Sequence, residues 1–108
     1  MLKTDASIEQ IAKEVKDLLG RHIRVDQLIL FGSRNNGTPR EDSDFDIAVI
    51  SEDFEHMSEL KKIELFARIP VYVDSRIELL GFSKHEFFDS EKSSLLAMIK
   101  QTGRVLLV

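Results

Sequence analysis

Apolar side chains near the start of the chain recur three and four residues apart. Ile8, Ile11, Ala12, Val15, Leu18 and Leu19 form one stripe of an amphipathic helix over residues 7–19. Ser7 followed by Gln10 can form a capping box at its start, and Gly20 suits its C-terminal stop. The period then changes. Asp26 to Phe31 (DQLILF) is a short apolar run rich in strand formers, and residues 32–43 are polar, carry Gly37 and Pro39, and read as loop with room for one helical turn after Ser33. Asp44 to Ile50 (DFDIAVI) reads as a second strand. Its alternation puts Phe45, Ile47 and Val49 on one face and Asp44, Asp46 and Ala48 on the other.

Helical spacing returns over residues 57–69 with Leu60, Ile63, Phe66 and Ala67, and Pro70 is expected to end that helix. Val71 to Leu80 (VYVDSRIELL) reads as extended, kinked around Asp74 and Ser75, with Ile77 and Leu79 on one face and Glu78 on the other. Ser83 with Glu86 is a second capping-box signal, opening a short helical turn. Residues 90–102 carry Leu95, Leu96, Met98 and Ile99 and read as the last helix, stopped by Gly103. Arg104 to Val108 (RVLLV) is a final strand or a tail docked on a partner. This order predicts an α+β (α/β) fold: a small mixed, mainly antiparallel sheet packed with helices, with residues 1–108 as one domain.

Composition narrows the function. A chain of 108 residues suits one compact domain. Its formal net charge of −4 disfavours a nucleic-acid groove binder, which needs basic surface to displace counterions, but leaves room for a small anion held by a local site with metal ions. The absence of cysteine rules out disulfides, thiolate zinc sites and cysteine nucleophiles. No apolar run approaches the length of a membrane span and the N-terminus lacks a signal-peptide core, so a cytoplasmic location without membrane contact is expected.

Two features carry chemistry. Gly32, Ser33 and Arg34 directly follow a strand, where free backbone N–H groups attract phosphate oxygens; glycine allows close approach, serine adds a hydroxyl donor and arginine a planar charged fork. Asp44 and Asp46 project from one face of the next strand, about 7 Å apart along the backbone. Like charges so close repel, and a divalent cation relieves them; paired carboxylates suit Mg²⁺, which shares its shell with substrate phosphates. A third carboxylate would complete the donor set for two-metal phosphoryl chemistry. Glu78 is the candidate and Asp74 the runner-up.

The stretch GSRNNGTPREDSDFDIAV, with Gly32, Ser33, Arg34, Gly37, Asp42, Ser43, Asp44 and Asp46, resembles the signature of the minimal nucleotidyltransferases of the DNA polymerase β superfamily. The leading helix, the later carboxylate strand and a closing segment like Ile-x-x-x-Gly-Arg-Val-Leu extend the resemblance over most of the chain. The resemblance implies a palm-like nucleotidyltransferase fold and transfer of a nucleoside monophosphate, AMP from ATP first of all, to a hydroxyl. Gly32 and Ser33 would grip the triphosphate with help from Arg34, Asp44 and Asp46 would bind two Mg²⁺ ions, and Glu78 would ligate the metal nearer the acceptor and help its hydroxyl lose a proton. The family usually has aspartate at that third position. Proteins of this kind often pair with a helical HEPN toxin, and some adenylylate it, so the resemblance also implies an antitoxin role. The alternative is a catalytically weak module that acts by binding such a partner.

The sequence leaves the base and the acceptor open; a protein tyrosine, a small molecule and an RNA end all qualify, the last least favoured by the acidic balance. His22, His56 and His85 lack paired-ligand spacing and read as surface residues. Lys61 and Lys62 read as a solvated helix face, and Tyr72 as a core or edge-strand aromatic. A homodimer through Phe87, Phe88 and the RVLLV segment is a further expectation.

Overall fold

The computed structural model describes residues 5–32, 44–89 and 94–107. Helix α1 (Asp5–Leu19) buries Ile11, Ala12, Val15 and Leu19, the stripe expected from the sequence. Ser7 lies within this helix and not, as expected, at its N-cap. The Gly20 amide still closes its last turn on the Lys16 carbonyl at 2.8 Å. Strands β1 (Gln27–Phe31) and β2 (Phe45–Ile50) follow. After them come a 3₁₀ turn (Glu52–His56), α2 (Glu59–Phe66), α3 (Arg68–Tyr72), β3 (Ile77–Phe82), α4 (Lys84–Phe88), α5 (Ser94–Thr102) and β4 (Arg104–Leu107).

The sheet order is β3-β2-β1-β4. β1 pairs antiparallel with β2 and with β4, whereas β2 and β3 run parallel, so the sheet is mixed and mainly antiparallel, as expected. Arg104–Leu107 is thus a final strand, the first of the two expectations, with Val105 opposite Ile29; Val108 lies outside the described residues. Alternation divides β1 and β2 between two cores. Leu28, Leu30, Phe45, Ile47 and Val49 meet α1, Phe54, Leu65 and Ile69 on one face. Ile29, Phe31, Ala48 and Ile50 meet Phe87, Leu96 and Ile99 on the other. Burial on both faces explains the near-continuous apolar run of each strand. Asp46 is the one β2 residue not fully buried.

Residues 57–80 differ most from expectation. Ser58 caps α2, its hydroxyl accepting from the Lys61 amide at 3.1 Å, and the helix stops at Phe66. Pro70 does not end a helix. It sits in the first turn of α3, where an amide has no intrahelical partner to lose. Val71 and Tyr72 are therefore helical, and the strand begins only at Ile77. Fully buried Ile69 anchors this turn, and that tertiary contact overrides the strand preference of the flanking valines. Tyr72 consequently points to solvent, 75 % exposed. Lys62 is 9 % exposed instead of solvated: its ammonium meets Glu59 Oε1 at 2.7 Å and lies 5.6 Å from the Phe54 ring centre, its stem covering apolar surface. Phe87 is core while Phe88 is exposed.

The Ser83 signal holds. Ser83 Oγ accepts from the Glu86 amide at 3.0 Å, and Glu86 Oε1 accepts from the Ser83 amide at 2.9 Å. α5 ends as expected, with the Gly103 amide on the Ile99 carbonyl; the expected start at residues 90–93 lies outside the described residues. Among the described residues no helix is long and apolar enough to cross a membrane. Because Ser83 is buried and closes both halves of its box, Ser83→Ala is expected to cost about 1 kcal/mol in urea unfolding, and Glu86→Gln less, since the amide keeps an acceptor.

Candidate functional site

The candidate carboxylates meet where β1 ends and β2 and β3 begin. Phe31, the last residue of β1, pairs with Asp46, and Asp46 pairs across the parallel ladder with Glu78. Paired residues of neighbouring strands share a face, and adjacent strands lie about 4.8 Å apart. Asp46 and Glu78 thus stand side by side on the face that farther along carries Ala48 and Ile50. Asp44 is exposed just ahead of β2, and Glu78 is exposed on β3. Alternation alone placed Glu78 on the carboxylate face. Its direct partnership with Asp46 is a matter of register, which local sequence does not state.

Gly32 closes the other side. Its φ of +81° is a left-handed backbone conformation natural to glycine, and a Cβ there would overlap Asp46 Oδ2. The chain leaving β1 therefore passes directly against the Asp46 carboxylate, which explains why glycine occupies the position. Ser33 and Arg34, the expected partners of Gly32, lie outside the described residues, as do Gly37, Asp42 and Ser43.

Electrostatics mark Asp46. Its carboxyl holds its proton more tightly than an ordinary aspartate, first because burial penalises the charge, then because Glu78 and Asp44 add negative potential. Asp74, the runner-up for the third carboxylate, is engaged elsewhere: Arg76 grips it through Nε at 3.0 Å and Nη2 at 2.8 Å. Sequence reasoning missed that pair, although Asp-x-Arg in a turn before a strand was its visible signal.

Among the described residues no group of three Asp, Glu, His or Cys side chains forms a ready metal centre. The donor chemistry nevertheless fits a hard dication. Asp44, Asp46 and Glu78 offer only oxygen, and the repulsion borne by Asp46 is of the kind a bound cation relieves. A cavity of about 530 Å³ opens elsewhere, between α1 and α3, lined by Glu14, Asp17, Arg21, Arg68 and Tyr72 among others and by none of these three carboxylates.

The shift of Asp46 has a definite sign. A carboxyl whose folded-state proton affinity is raised favours the native state only while protonated, and disfavours it as pH rises from the ordinary 3.8 through its raised value. Asp46→Asn should therefore raise the thermal midpoint of the metal-free protein at neutral pH, and the gain should disappear below pH 3.8. Melting curves across pH check both parts. Gly32→Ala should destabilise by about 1–2 kcal/mol, from left-handed strain before the added overlap with Asp46 is counted, measurable in urea.

A nucleotidyltransferase domain family model matches residues 8–104. No curated protein matches significantly. Among solved structures, the chain is similar to a protein of Sulfolobus solfataricus assigned as a nucleotidyltransferase, with 17% identity over 90% of this chain and 77% of that one, at a TM-score of 0.64. It is also similar to a chain of a toxin–antitoxin complex with AMP-PNP, at 23% identity, covering 91% and 71% with a TM-score of 0.65. A third is a complex of a tri-AMPylated Shewanella oneidensis HEPN toxin with an MNT antitoxin, at 23% identity, 91% and 71% coverage and a TM-score of 0.60. At these identities the likenesses speak for the fold, while the family match runs through β1, β2 and β3 with all three carboxylates inside it: the chain belongs to the nucleotidyltransferase domain family.

Proposed function

We propose that this protein transfers a nucleoside monophosphate, AMP from ATP in the first instance, to a hydroxyl acceptor. The observation that carries the proposal is the Asp46–Glu78 pairing at the open end of the sheet, with Gly32 passing against Asp46. Gly32 would let the backbone approach a triphosphate, and Ser33 and Arg34, which follow it in sequence, would add a hydroxyl and a guanidinium donor. Asp44 and Asp46, with Glu78, would hold two Mg²⁺ ions. When bound, these would screen the carboxylates and stabilise charge on the attacking and leaving oxygens. Glu78 orients the acceptor and takes up the proton its hydroxyl loses. In the overall exchange a bond forms from acceptor oxygen to α-phosphorus, the bond to pyrophosphate breaks, and pyrophosphate leaves.

The toxin–antitoxin neighbours, one of them holding an AMPylated HEPN toxin, support a helical HEPN protein as partner and acceptor for this chain too. A second role as a binding module is favoured by exposed apolar side chains on α2 and α3: Leu60, Ile63, Val71 and Tyr72. The two roles are compatible, and calorimetry with Mg-ATP separates them, since a pure binding module would show no metal-dependent nucleotide binding.

In a labelled-ATP transfer assay with a co-expressed HEPN partner, Asp44→Ala and Asp46→Ala should each lower transfer at least about 100-fold, the scale of losing a charge-stabilising group at a reacting centre. Label transfer that survives both substitutions overturns the mechanism. Mg²⁺ should raise the melting temperature of the wild-type protein and leave that of Asp46→Asn nearly unmoved, read by differential scanning fluorimetry.

A further inference from the structure

Resting on that nucleotidyltransferase reading, we infer that Arg76 is a positioning residue for the carboxylate pair: gripped by Asp74 and laid on the ring of Phe45, it holds the opening residues of β2 and β3 together, and so holds Asp46 beside Glu78.

The contacts run in a continuous line. The carbonyl of Ile69, the buried anchor of α3, accepts from the amides of Val73 at 2.9 Å and Asp74 at 3.4 Å, which fixes the start of the turn. Asp74 Oδ1 accepts from the Arg76 amide at 2.9 Å and from Arg76 Nε at 3.0 Å, while Oδ2 accepts from Nη2 at 2.8 Å. The Asp74 carbonyl accepts from the Ile77 amide at 3.1 Å, so one residue binds both sides of Arg76. Arg76 in turn reaches across to β2 twice. Its carbonyl accepts from the Phe45 amide at 2.8 Å, one step beyond the first ladder pair, and its guanidinium carbon lies 5.0 Å from the Phe45 ring centre.

Phe45 separates Asp44 from Asp46, and Ile77 separates Arg76 from Glu78. Phe45 thus sits directly ahead of Asp46 on one strand and Arg76 two residues ahead of Glu78 on the other, and the Arg76 carbonyl and guanidinium both reach Phe45. The side chains of Arg76 and Asp74 are 20% and 15% exposed, which keeps the ion pair out of the fully screened regime where surface pairs contribute little. A forked, planar cation suits the place, because Nε and Nη2 meet the two Asp74 oxygens separately while the guanidinium carbon stays over the Phe45 ring; the single ammonium of lysine cannot reproduce the two-nitrogen grip. The arrangement also opposes a specific strain. Asp46 and Glu78 repel, and strand ends are where a ladder opens most easily, so two carboxylates at the first rungs need an attachment just ahead of them.

Mn²⁺ binding to the purified chain, read as loss of the free-ion EPR signal, tests this without any transfer reaction. Arg76→Ala should weaken Mn²⁺ binding about tenfold or more, the usual loss when a residue supporting metal ligands is removed. The circular dichroism of the folded protein should be unchanged, and hydrogen exchange at the Phe45 amide faster. Arg76→Lys should lie close to Arg76→Ala, since charge without the fork does not restore the grip. Should Arg76→Ala fail to fold, Asp74→Asn loosens the same grip and carries the test. Wild-type affinity with an equally protected Phe45 amide, in a folded Arg76→Ala or Asp74→Asn protein, overturns the inference. Glu78→Gln separates the two levels of the argument. If it weakens Mn²⁺ binding while the Arg76 and Asp74 variants do not, only the positioning role falls; if the wild-type protein binds no Mn²⁺, the nucleotidyltransferase reading falls and takes this inference with it.

Discussion

Parallel pairing between β2 and β3 sets two carboxylates shoulder to shoulder at a half-covered end of the sheet, and much of the surrounding structure answers that one repulsive contact. Asp46 interrupts a strand otherwise sealed on both faces. Its neighbours Asp44 and Glu78 make its charge harder to hold, not easier. A chain free to minimise its own energy would put asparagine or threonine there. Stability is given up at this point, and the repulsion there is of a kind that an external cation would relieve.

The rest of the fold removes freedom from that point. Two hydrophobic layers clamp the middle of β1 and β2, so the sheet is rigid until its last rung. Gly32 brings the departing chain hard against Asp46, leaving no volume for a side chain. Ile69 pins the short helix from which the third strand is launched, and through the Asp74–Arg76 turn that anchoring reaches the Phe45 amide. Each of these contacts lies outside the carboxylate cluster, yet each limits how far its members can drift.

Where chemistry is local, the sequence was legible. The alternation in DFDIAVI separated Asp46 from the face of Phe45, Ile47 and Val49, while Asp44 stands just ahead of the strand, and Ser83 with Glu86, Gly20 and Gly103 announced the helix ends that form. Where the decision is tertiary, it was not. Pro70 is equally at home after one helix and inside the first turn of another, and only the burial of Ile69 selects the second. Lys62 looks solvated on a helical wheel, but its stem finds Phe54, a residue from a different element. Glu78 could be assigned to a face by period, whereas its pairing with Asp46 depends on the register of strands brought together by a long crossover. That Arg76 reaches back to Asp74 and across to Phe45 depends on the same crossover.

The crossover has a kinetic side. Residues 51–76 must be gathered before β3 can lie along β2, and the closure entropy of that excursion is met before any contact rewards it. The antiparallel β1–β2 ladder spans a shorter separation and faces a smaller closure cost. Asp46 and Glu78 therefore meet across the longer of the two separations. A chain without that pairing keeps the two carboxylates apart and hydrated, and so is free of the repulsion that the finished sheet imposes on Asp46.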